Sequence, residues 1–148
     1  MIDQRQLGVD LFNDTWRLLE KADRTADEDN ELLHQAHASA YHWLKAPEGE
    51  PKNRARSEWL CSRVYSVLGR AEPALHHADR CLEITEQHAV DVEDWDLPFA
   101  YEALARAHVV AGNSGEASRY GELARQTGQS ITDPGDREHF VAELATLT

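Results

Sequence analysis

Cysteine is nearly absent from this chain: Cys61 and Cys81 are its two, and they stand in neither a CxxC nor a zinc-like spacing. That excludes a disulfide framework and leaves both as small hydrophobes for a core. Long apolar runs are missing too. No stretch approaches the roughly 20 residues of a bilayer-spanning helix. The opening MIDQRQLGVD has neither a basic nor an apolar leader region, so the expected location is the cytoplasm. Positive charge is scarce, with 15 basic residues against 27 acidic ones and a net charge of -12. Such a surface repels phosphate backbones and anionic lipid, which turns expectation away from nucleic acid and membranes as partners. Catalytic signatures are also lacking: there is no G-x-S-x-G, no phosphate-binding glycine loop and no G-x-G-x-x-G, and nothing calls for a cofactor. What remains is 148 residues with 41% hydrophobic content, enough for a single domain (1–148) with a continuous core.

Helical periodicity is present from end to end, and no strand pattern competes with it. Val9, Phe12, Trp16 and Leu19, flanked by Leu7, Leu11, Leu18 and Ala22, predict a first helix from about Asp3 to Ala22. Thr25 and Glu28 have the capping-box spacing that opens a second helix, which carries Leu33, Ala36, Ala40 and Leu44 inward and stops near Ala46 before Pro47. A third helix places Leu60, Val64, Val67 and Leu68 inside and ends at Gly69, where a left-handed residue is wanted. In the fourth, Ala74, Ala78 and Cys81 form a ridge of small residues that lets two helix axes approach closely. Asp96 is the expected N-cap of a fifth helix closed by Gly112, and Asn113 or Ser114 that of a sixth ending near Gly128. Asp133-Pro134 opens a last helix with Phe140, Val141, Leu144 and Leu147.

The fold class expected is therefore all-α, and an internal repeat refines it. An offset of 43 positions carries Gly69 onto Gly112, Ala74 onto Ala117, Cys81 onto Ala124, Tyr65 onto His108 and Arg63 onto Arg106. An aromatic four residues before a turn glycine, with small residues five and twelve after it, resembles the tetratricopeptide repeat (TPR) family. Tyr65, Gly69, Ala74 and Cys81 carry that pattern, and Gly112, Ala117 and Ala124 carry it again. The chain departs from the family in its longer period, in Ser62 and Ala105 where the family packs a glycine, and in lacking the terminal proline. Residues 1–46 give no comparable match and stand as a degenerate first pair. The resemblance implies about seven helices: antiparallel pairs stacked as a short right-handed solenoid, with repeat-like pairs at 52–88 and 96–128 and a capping helix at 133–148.

It also implies a concave face, built by the first helix of each pair, that takes a protein or peptide segment. The matching positions are Arg56, Trp59 and Arg63, then Phe99, Glu102 and Arg106. Arg56, Arg63 and Arg70 recur every seven residues, with Lys52 and Arg54 nearby, so a basic and partly aromatic strip lies within an acidic molecule. Guanidinium groups pair bidentately with carboxylates, and an acidic partner segment would suit the strip. The competing expectation is internal: these arginines pair with Glu102 or with the acidic loop Asp91, Glu93, Asp94 and Asp96. Glu31, His34 and His37 share one helical face and are the only candidates for a metal, but no second Glu-x-x-His completes a carboxylate-bridged site. Three function classes follow. A non-enzymatic scaffold binding a partner in the groove leads. A helical ligand- or metal-binding domain or enzyme using the histidine-bearing helix, and a structural unit that forms a homodimer, are the alternatives.

Overall fold

The computed structural model describes residues 1–147; the final residue of the expected capping segment, Thr148, lies outside the described residues. Among these the chain forms seven α-helices and no strand: α1 (Gln4–Leu19), α2 (Ala26–Lys45), α3 (Pro51–Val67), α4 (Ala71–Gln87), α5 (Asp96–Ala111), α6 (Ser114–Gly128) and α7 (Pro134–Ala145). Local chemistry sets most of these ends. Asp3 and Asp133 each accept a hydrogen bond from a backbone amide of the first turn, at 3.0 and 2.9 Å. The Thr25–Glu28 capping box closes in both directions. Gly69 and Gly112 take φ of 74° and 77°, which frees the amides of Arg70 and Asn113 to bond back to the carbonyls of Tyr65 and His108, each at 2.9 Å. One closure is used twice, 43 residues apart.

Consecutive helices pack as hairpins, α1 on α2, α3 on α4 and α5 on α6, and the hairpins stack through α2 on α3 and α4 on α5. The first helices lie side by side, α1 beside α3, α3 beside α5 and α5 beside α7. Small residues make the stacking close. Ala74 and Ala78 of α4 are fully buried against Ala103, Leu104 and Ala107 of α5. The same ridge runs along α2 as Leu32, Ala36 and Ser39, all buried at the same spacing of four and three. Residues 1–46 thus form a helix hairpin whose second helix has that same buried spacing. Its signature is masked by a leucine and a serine at positions that are small and apolar in α4. Ser39 is satisfied where it lies, since its hydroxyl donates to the Gly8 carbonyl at 2.7 Å.

Five side chains expected inside are elsewhere. Leu32, not Leu33, enters the core, because 32, 36 and 39 share one face while 33, 40 and 44 lie about 100° around the helix. Leu33 and Ala40 pack along the flank, and Leu44 is 59% exposed. Val67 is 43% exposed because it stands one turn beyond Arg63, on the face opposite the packing. In α7 a single face is covered: Phe140 is buried and its neighbour Val141 is exposed. The first helix also ends at Leu19, three residues early, since Arg24 draws the carbonyls of Leu18, Leu19 and Lys21 onto its guanidinium.

Candidate functional site

The side-by-side first helices create an aromatic hollow. A cavity of about 640 Å³ opens there, bounded by Phe12, Asn13, Trp16 and Arg17 of α1, Ala55, Arg56 and Trp59 of α3, Asp96 and Phe99 of α5, and Asp136 and His139 of α7. Trp95 and Cys81 complete its wall. α1 and α7 do not pack on each other, so the hollow lies open between the two ends of the stack. Its rings contact one another in a chain. Trp16 and Trp59 are 5.7 Å apart between centroids, Trp59 meets Phe99 edge-on at 5.8 Å, and Phe99 meets Trp95 and Phe140 edge-on at 6.2 and 5.0 Å. A smaller cavity of about 370 Å³ adjoins it through Trp16 and His139, and is bounded also by Leu19, Glu20, Arg63, Val67 and Glu143.

Beneath the rings runs an ionic network centred on Glu102, whose side chain is fully buried. One oxygen accepts from Arg106 Nε at 2.8 Å; the other accepts from Trp59 Nε1 at 3.3 Å and faces Arg63 Nη1 at 3.6 Å. Arg63 reaches on to the Glu143 carboxylate, and Arg106 to the Glu143 carbonyl at 3.1 Å and the Thr146 hydroxyl at 2.7 Å. These bonds tie α3, α5 and α7 together. A second node forms where Arg56 donates through Nε and Nη2 to both oxygens of Asp96, at 3.0 and 2.9 Å. Asp96 is consequently not the N-cap of α5. Trp95 holds that position, and the Asp96 carboxylate turns back to accept from Arg56 and from the Glu93 amide at 2.8 Å. For the buried Asp96 carboxylate, the two-pronged fork of a partly buried guanidinium outcompetes a cap that water could satisfy. The guanidinium of Arg56 also lies 4.2 Å from the Trp95 ring centroid, and that of Arg63 lies 5.3 and 5.7 Å from Trp16 and Trp59.

Of the groove residues expected from sequence, Arg56, Trp59 and Phe99 line the larger cavity and Arg63 the smaller, while Glu102 and Arg106 belong to the network below. The arginines thus meet carboxylates of their own chain, as the internal alternative anticipated. Sequence reasoning passed over Phe12, Trp16, Trp95 and His139 as lining residues. For Trp16 a signal existed: the 43-residue offset places it directly on Trp59.

The histidines occupy different ground. Where α2, α3 and α4 meet, His37, Tyr65 and His77 form a triangle of rings with centroids 5.4 to 5.7 Å apart. His37 Nε2 is 2.8 Å from the Tyr65 hydroxyl, and His77 Nδ1 donates to Glu58 at 2.6 Å. Burial, helped by neighbouring His77, holds the His37 imidazole below its usual pKa. Cys61 lies 3.9 Å from His37 Nδ1, but burial pushes its thiol up to about 12, which leaves almost no thiolate for nucleophilic or metal chemistry. Glu31 does not join His34 and His37; it accepts from Gln35 Nε2 at 3.4 Å. Among the described residues no three His, Cys, Asp or Glu side chains are arranged to hold a metal ion.

By fold the chain is similar to a TPR-like protein from Chlorobium tepidum. That crystal structure matches it with a TM-score of 0.67 over 99% of each chain at 17% identity. No protein-family model and no curated protein matches the sequence. The fold is TPR-like: all-α, with helix pairs stacked so that their first helices share one face. No helix among the described residues is long and apolar enough to cross a membrane.

Proposed function

We propose that this protein is a non-enzymatic scaffold that captures a segment of a partner protein in the hollow bounded by α1, α3, α5 and α7. The observation that carries this reading is the concave aromatic wall of Phe12, Trp16, Trp59, Trp95 and Phe99, open between the two ends of the stack. Rigid rings on packed helices offer apolar area at little entropic cost, which is what a surface made for another chain requires. The ionic network beneath supports the wall by fixing Trp59 on Glu102. An acidic partner segment drew its support from the arginine strip, and Arg56, Arg63 and Arg106 now have carboxylates of their own. A cytoplasmic setting fits the two buried, unpaired thiols.

The test compares retained proteins on immobilised wild type and on Trp16→Ala, whose ring stands at the cavity wall rather than in the centre of the core. The partner bound by wild type should be lost from the variant, with helical circular dichroism unchanged. Retention of the same partner at the same salt strength would place binding elsewhere. Charge reversal at Arg63 or Arg106 is the poorer test, because either change strands the buried Glu102.

A second reading has an observation of its own. Ile2 just before α1, Leu7 of α1, and Tyr41 and Leu44 of α2 are exposed large apolar side chains. We read them as marking the place where two copies would associate. Light scattering of wild type and Leu44→Glu decides it: a concentration-dependent dimer abolished by the substitution supports the reading, and a monomer at high concentration removes it.

A further inference from the structure

We infer that the occupant of the aromatic hollow is cationic: a partner segment whose lysine or arginine, flanked by apolar residues, lies against Trp16, Trp59 and Phe99, with Asp136 on the wall of the hollow and Glu20 on that of the adjoining cavity. The inference rests on the hollow being the binding surface and assigns the chemistry that fills it. Three observations lead to it.

The first is the state of the charges around the two joined cavities. Each arginine that lines them is already paired, Arg17 with Asp14, Arg56 with Asp96, and Arg63 with Glu102 and Glu143. Two lining carboxylates, Asp136 and Glu20, have no cation within ion-pair distance among the described residues, and both are exposed. An incoming anion would meet those two carboxylates. It could recruit Arg63 only by leaving the fully buried Glu102 short of a partner. An incoming cation meets no such obstacle.

The second is the surface itself. The faces of indole and phenyl rings carry negative potential and attract ammonium and guanidinium groups. This molecule already uses its own rings that way, with Arg56 over Trp95 and Arg63 beside Trp16 and Trp59. The third is the net charge of -12, which draws cationic segments toward the protein from a distance and repels acidic ones. A cavity of about 640 Å³ has room for a long side chain together with apolar neighbours.

Three blocked pentapeptides test this by calorimetric titration of the full chain, alternating leucine with lysine, with glutamine or with glutamate. The lysine peptide should bind at least about tenfold more tightly than the glutamate peptide, with glutamine between, and added salt should narrow the gap. Asp136→Lys combined with Glu20→Lys changes only exposed positions and should bring the lysine and glutamate peptides to comparable affinity. Trp16→Ala should weaken the lysine peptide most. Equal binding of all three peptides that is lost in Trp16→Ala would overturn the cationic assignment and leave the hollow as the binding surface. Lysine-selective binding that is indifferent to Trp16→Ala would mean adsorption to the acidic exterior and would overturn both. Tighter binding of the glutamate peptide, or no binding of any of the three, overturns the inference.

Discussion

Tyr65 stacks on His77 with ring centroids 5.6 Å apart and planes 2° from parallel, and the next repeat makes the same stack with the two residue types exchanged. Forty-three positions on, His108 lies on Tyr120 at 5.6 Å and 6°. The same geometry with the residue types exchanged points to a contact that contributes to each helix pair. Tyr65→His and His77→Tyr should each lower stability. The double substitution should cost less than the sum of the two by about 0.5–1.5 kcal/mol, the worth of an aromatic pair beyond its buried area. Urea unfolding of the four proteins measures the coupling; strict additivity would show that the stack is incidental.

The same repeat position tolerates opposite changes in different pairs. Ala78 is fully buried against α5, so Ala78→Leu should cost about 1–3 kcal/mol through overpacking. Gly121 occupies the equivalent place in α6, yet a β-carbon there would meet nothing within 4 Å. Gly121→Ala should therefore stabilise the helix by about 0.5–1 kcal/mol. Gly8→Ala should do the reverse, since its β-carbon would come within 2.8 Å of the Trp43 ring. Thermal midpoints of the three variants give the signs directly.

Glu102 is the residue on which the network beneath the hollow depends. Its replacement by alanine leaves Arg63 and Arg106, both largely buried, without their shared counter-ion, and should cost about 3 kcal/mol. Asp14→Ala, which breaks the exposed pair with Arg17, should cost about 0–1 kcal/mol by the same denaturant assay. Similar losses for the two would mean that the buried network is not a structural node.

His37 makes stability depend on pH in a predictable sense. Its pKa is lowered in the fold, first by burial and then by His77 and His34, with Glu58 opposing. Between the folded pKa and the ordinary value near 6.5, the unfolded chain binds more protons than the native one. Stability is then fully present above about pH 6.5 and falls as pH drops through that window. His37→Gln should flatten this segment of the profile without changing the acid limb at lower pH, where carboxylates such as Asp94, held below its ordinary pKa by bonds from Thr132, take up protons. A profile between pH 5 and 7 that is the same with and without His37 would count against the assignment.

Much of the fold was legible because its signals are local. The Thr25–Glu28 box, the left-handed Gly69 and Gly112, the Asp133-Pro134 start and the Ala74, Ala78, Cys81 ridge each act within one or two turns, and each stands as read. The groove was only partly legible. Trp59, Arg56 and Phe99 were placed by repeat register. Trp16 marks only the apolar face of a helix in the sequence, and Trp95 lies in a segment with no periodicity to orient it.

By itself the sequence determined most of the helix boundaries and which small residues let helices stack, since those choices depend on neighbours within a few positions. Tertiary structure decided the rest. It turned Asp96 from a cap into the partner of Arg56, committed Arg63 and Arg106 to Glu102, and brought α1 and α7 to opposite sides of one hollow. The reason is physical: whether a charge is free or spent depends on what lies within about 4 Å of it in space. Forty or eighty residues of intervening chain carry no record of that distance.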